Sequence, residues 1–132
     1  MRWVLLLFSF IVFVPQGNAQ TSLKQAVDDF HYTLAFTYHP MADDSNYQPI
    51  RNRSAELLEK ARLIEKAMYG EASLPEEIES KIDVLVSSCA ALHDVIQQGA
   101  TDTAIFSRLS RIHDLFHDVE HAVIEWEQAQ KR

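Results

Sequence analysis

Cysteine occurs once, at Cys89, so no disulfide can form within the chain. An exported domain of this kind must rely on its core or on a ligand, which fits a bacterial periplasm better than a disulfide-rich scaffold. Glycine is nearly as scarce, with three residues among 132. That leaves no glycine-rich loop of the kind that cradles phosphates. No serine or cysteine nucleophile lies beside a histidine in a catalytic motif, and inward Glu and Glu-x-x-His pairs of the di-iron type are missing. Positive charge is also in short supply, with 12 Lys and Arg against 19 Asp and Glu. Nucleic-acid binding needs clustered cations on one face and is not expected. Together these shortages point to a binding protein, not an enzyme.

What is present begins with Arg2 and a run from Trp3 to Val14 that is apolar except for Ser9. Pro15 breaks the run, and Gly17-Asn18-Ala19 supplies small residues where a signal peptidase cuts. The run is too short to span a bilayer, which takes about 20 apolar residues. Residues 1–19 therefore read as a cleaved signal peptide and residues 20–132 as one exported, periplasmic domain. Loss of Arg2 leaves eleven Lys and Arg against nineteen Asp and Glu, a net charge of −8. No membrane contact is expected after cleavage, and the domain should be a monomer or weak dimer.

The rest alternates apolar positions at spacings of three and four. Ser22 and Gln25 form a capping box ahead of Leu23, Val27, Phe30, Leu34 and Thr37. His39-Pro40 is expected to stop that helix, because the residue before proline is pushed out of the α region. Pro49 opens a second helix on Ile50, Ser54, Leu57, Ala61, Ile64 and Met68. A second capping box, Ser73 with Glu76, opens a third on Ile78, Ile82, Leu85, Cys89, Leu92 and Ile96. Thr101 or Asp102 caps the fourth, with Ile105, Leu109, Ile112, Phe116, Val119, Val123 and Trp126 on its seam. The predicted helices cover about 22–38, 50–69, 74–98 and 102–129, and no segment reads as a strand. Short connections make consecutive helices antiparallel, so the fold class is an all-α, up-down-up-down four-helix bundle.

Chemistry concentrates late in the fourth helix, where His113, His117 and His121 are spaced four apart. With the seam as a and d positions of a heptad, His31 and His113 both occupy e positions beside the core. If the first and last helices meet through those flanks, pairing Lys24 with Glu120 sets His31 against His113 and Tyr38 against Phe106. Asp28 then lies opposite His117. His31, His113, His117 and Asp28 would form a three-imidazole, one-carboxylate set in a surface groove, acceptable to zinc or copper. His121 points further out. A smaller candidate is His39-Pro40-Met41, a nitrogen and thioether combination that copper accepts, with Asp102 nearby. His93 reads as a packing residue, and Cys89 as buried and inert.

The exported four-helix layout with a late histidine resembles the periplasmic bundle cytochromes of the c-prime and soluble b-type class. That resemblance implies a haem ligand at His117 or His113, with His31 where the b-type members carry a methionine. The attachment motif Cys-x-x-Cys-His is absent, so covalent haem is excluded. Phe30-His31-x-x-Leu34, His39-Pro40 and Ile112-His113-Asp114-x-Phe116-His117 also look like a group of small exported helical proteins. This second resemblance implies a shared site around His31 and His117, and no activity. Three expectations follow: binding of a divalent transition metal (copper or zinc), non-covalent b-type haem, or a ligand-free interaction module with pH-sensitive histidines. The last rests on His31 opposing His113, where protonating both would place like charges across a packed interface and lower stability in acid.

Overall fold

A computed structural model of the protein describes residues 20–132, so the signal peptide expected over residues 1–19 lies outside the described residues. Four helices follow in order: α1 Leu23–Asp44, α2 Gln48–Met68, α3 Glu76–Gln97 and α4 Asp102–Gln130. Each packs on the next, and α4 closes on α1. Side-chain contacts fix the directions. The start of α2 reaches the end of α3 through Ser54 and His93, whose Oγ and Nδ1 lie 2.9 Å apart. The end of α4 meets the residues before α3, where the Trp126 indole N–H donates to the Ser73 carbonyl at 3.3 Å. The bundle is therefore up-down-up-down. No helix among the described residues is long and apolar enough to cross a membrane.

The predicted seams are the observed core. Every seam residue except Trp126 is buried, with Phe30, Ile50, Ala61, Ile64, Ile82, Leu85, Ile105, Leu109, Phe116 and Val119 fully enclosed. Burying each large aliphatic or aromatic side chain stabilises the fold by about 1.5–3 kcal/mol relative to exposure. Phe30 of α1 and Phe116 of α4 pack as a tilted pair with ring centroids 4.9 Å apart. Thr33 and Thr37 are also buried, and their hydroxyls donate back to carbonyls of α1 itself.

Two helix ends differ from expectation. The first helix does not stop at His39-Pro40 but continues through Pro40 to Asp44. Proline forfeits one intrahelical hydrogen bond. The extra turn gains the burial of Met41, which is 1% exposed. Ser45 then ends the helix in the left-handed region at φ 53°, and its N–H donates to the Met41 carbonyl at 3.1 Å. The N–H of Asn46 completes the cap by donating to the Pro40 carbonyl at 2.9 Å. The second capping box does not form, because α3 begins at Glu76 with Pro75 as its N-cap. Pro75 forces Leu74 out of the α region, so no helix can start at Ser73. Glu76, Glu77 and Glu79 sit in the first turn instead, complementing the helix dipole. The other caps agree with expectation: Ser22 accepts from the Gln25 N–H, and Thr101 from the Ala104 N–H, both at 3.2 Å. Asp102 is free to receive Arg51, whose guanidinium also donates to the Ala100 carbonyl.

Cys89 is buried on the α3 seam, and desolvation pushes its thiol up from 9.0 to about 12. The folded state therefore holds this proton more tightly than the unfolded chain does. The associated stability is complete below pH 9 and is lost as pH rises toward 12. Cys89→Ala is expected to melt below the wild type at pH 7.5, and the gap should narrow when both are melted at pH 10.5. A gap independent of pH would contradict a desolvated thiol.

Candidate functional site

The α1–α4 closure carries a cluster of polar rings that belongs to no other helix pair. His31 and Tyr38 come from α1, two turns apart. His113, His117 and Glu120 come from α4, on adjoining turns of one face. Helical spacing places them together without any loop. Phe116 forms the apolar floor, with the His31 and His117 rings 5.2 and 5.6 Å from its centroid.

The centre is the Glu120 carboxylate, whose side chain is 15% exposed. One oxygen, Oε1, lies 2.8 Å from His31 Nδ1, and the other, Oε2, lies 3.0 Å from His117 Nδ1. An ionised carboxylate only accepts, so both Nδ1 atoms carry the proton and donate to it. This fixes the tautomer of each neutral ring and leaves its Nε2 as a bare lone pair. The Nε2 atoms of His117 and His113 face each other at 3.2 Å. His113 turns its own Nδ1 to Asp114 Oδ1 at 3.4 Å and lies flat on the Tyr38 ring, with centroids 3.9 Å apart and planes 13° from parallel. His31 stands edge-on to His117 with centroids 5.4 Å apart.

Two neutral imidazoles cannot both present lone pairs across 3.2 Å. Either a proton lies between the two Nε2 atoms or a cation does. A proton meets every contact only on a doubly protonated ring: an imidazolium at His117 would donate Nδ1–H to Glu120 and Nε2–H to the His113 lone pair. A tetrahedral ion with metal–nitrogen bonds of about 2.0–2.1 Å separates its ligand nitrogens by about 3.3 Å, close to the spacing found. Each Nδ1–H then keeps a carboxylate acceptor. Among the described residues, no group of three or more His, Cys, Asp or Glu side chains is arranged to hold a metal ion. His113 and His117 are a facing pair of imidazoles, and His31 is the neighbouring ring.

The expected pairing across α1 and α4 is correct in flank but displaced by one heptad. His31 meets Glu120 instead of His113, and Tyr38 meets His113 instead of Phe106. Lys24, expected to pair with Glu120, holds Asp28 at 2.5 Å. That hydrogen bond and the charge of Asp28 raise the Lys24 ammonium above its ordinary value, with smaller contributions from Glu127 and Glu120. The displacement carries Asp28 roughly 10 Å along the bundle from its expected place beside His117, at 1.5 Å per residue. The carboxylate bonded to His117 is Glu120, first read as a partner for lysine. Its position three residues after His117, on the same e flank as His113, was the available signal. Phe106 is left 45% exposed. His121 is exposed, as expected, with its ring 6.4 Å from that of His117.

The smaller candidate does not assemble. His39 is exposed and faces Asp43, Met41 points into the core, and Asp102 is engaged by Arg51. His93 bonds the buried Ser54 hydroxyl, in keeping with a packing role. The opposition of His31 and His113 on which the pH-sensor expectation rests is not the observed pairing, because His31 faces the Glu120 carboxylate. No protein-family model matches the chain, and neither a curated protein nor a solved structure matches it.

Truncating Glu120 strands two imidazole donors on a half-buried face. Glu120→Ala is expected to lower unfolding stability by about 1–3 kcal/mol in urea titration. His31→Ala should then cost clearly less in the Glu120→Ala background than in the wild type. Equal costs in the two backgrounds would show that the His31–Glu120 contact is not formed in solution.

Proposed function

We propose that this is an exported periplasmic protein that binds a divalent transition metal, zinc or copper, at the α1–α4 seam. His113 and His117 act as the primary imidazole ligands through Nε2, and His31 supplies the third. Glu120 takes over the carboxylate role first assigned to Asp28. It acts through the rings, holding His31 and His117 by Nδ1, while Asp114 faces Nδ1 of His113. The function is binding or buffering without turnover, in a monomer or weak dimer.

One observation carries this reading: all three imidazoles turn Nδ1 to a carboxylate, at 2.8, 3.0 and 3.4 Å, which leaves Nε2 available on each ring, and the Nε2 atoms of His113 and His117 face each other at 3.2 Å. Metal-ligating histidines characteristically donate their second ring N–H to a carboxylate, which fixes ring orientation and raises ligand basicity. The half-exposed groove leaves an entry path, since His117 and His31 side chains are 35% and 45% exposed.

Calorimetric titration of zinc and of copper(II) into the protein should give one saturable site. His117→Ala and His113→Ala should each abolish or weaken it at least tenfold. Glu120→Gln should weaken it by roughly 10–100-fold, the usual cost of losing such a supporting partner. Asp28→Ala should leave it unchanged, and acidification should weaken it because protons compete for the same lone pairs. Binding that is absent up to millimolar metal, or indifferent to His117→Ala, would overturn the proposal. A Soret band on haem titration, lost in His117→Ala, would favour the b-type haem alternative.

A further inference from the structure

A second groove lies on another face of the bundle, between α3 and α4, with a volume of about 590 Å³. Ser87 and Ser88 of α3 and Ser107, Arg108 and Arg111 of α4 line it, over a floor that includes Ala91 and Ala104. Acidic residues outnumber basic ones, 19 to 12, and four of the basic side chains, Lys24, Arg51, Arg53 and Lys81, hold a carboxylate. Arg108 and Arg111 hold none among the described residues, although they are three apart on one helix. Facing them, α3 presents serines and alanine where an aspartate or glutamate would have neutralised them. The small side chains of Ala91 and Ala104 leave the groove beside the arginines unfilled.

We infer that this groove binds a small organic oxyanion, with Arg108 and Arg111 as the charged donors and Ser88 and Ser107 as hydroxyl donors. The Ser87 hydroxyl proton is already committed to the Asp83 and Val84 carbonyls at 3.0 and 3.1 Å, so Ser87 shapes the wall without donating. Guanidinium groups present planar forks that match carboxylate and phosphate oxygens two at a time. Size selection follows from the rest of the surface. A net charge of −7 repels an extended polyanion such as nucleic acid or an anionic membrane, whereas a single oxyanion feels mainly the two nearby cations. Carboxylate and phosphate monoester share the recognition chemistry. This groove is independent of the histidine cluster.

The test is a ¹⁵N–¹H correlation titration of the protein at constant ionic strength with methyl phosphate, acetate and chloride in separate arms. Saturable shifts of the Ser88, Ser107 and Arg108 amides are expected with methyl phosphate, acetate or both, and none with chloride. The arm that saturates identifies the class. Arg108→Gln combined with Arg111→Gln should weaken binding at least tenfold. Both side chains are exposed, so the double variant should keep its melting temperature. Should it fail to fold, Arg111→Lys retains the charge, loses the fork and should weaken binding several-fold. Shifts that grow linearly without saturating in every arm, or binding that the arginine substitutions leave unchanged, would overturn the inference.

Discussion

Phe30 and Phe116 are both fully buried, and their contact across α1 and α4 sets the register on which the histidine cluster depends. Neither ring can slide past the other without leaving a void the size of an aromatic side chain, which costs about 3–5 kcal/mol. Once they are opposed, the flanking e positions have no freedom. His31 falls on Glu120 and Tyr38 on His113. The polar cluster thus inherits its geometry from an apolar contact between two helices. Glu120 then links the two helices by accepting from one imidazole of each.

The seams of all four helices were legible because a 3-4 repeat on a bundle helix has one physical solution. A stripe of apolar side chains must face the other three helices. Ser54 and Cys89, both on predicted seams, are buried as the periodicity requires. The helix ends were less legible. Proline was read as a terminator at position 40, where burial of Met41 offsets one missing hydrogen bond. Ser73 was read as a cap, where the φ-restricted Pro75 decides the start two residues later.

The site was legible in its members more than in its arrangement. His31, His113 and His117 are neighbours, and the e-to-e meeting of α1 and α4 is observed. The register was missed by one heptad, because it was set by pairing Lys24 with Glu120, whereas His31 meets Glu120 and Lys24 holds Asp28. Surface ion pairs were a weak guide, since an exposed Lys24–Glu120 pair is worth under about 1 kcal/mol and cannot oppose aromatic packing. That error alone moved Asp28 away from His117 and hid the role of Glu120.

Every functional statement about this seam rests on which nitrogen of each ring carries the proton. Long-range ¹H–¹⁵N correlation spectra of the histidine rings read that directly in solution, without metal. The account predicts that His31 and His117, when neutral, are protonated at Nδ1 with Nε2 bare, and that Glu120→Gln perturbs both rings while leaving His93 unmoved. An Nε2–H form for His117, or spectra indifferent to Glu120→Gln, would contradict it.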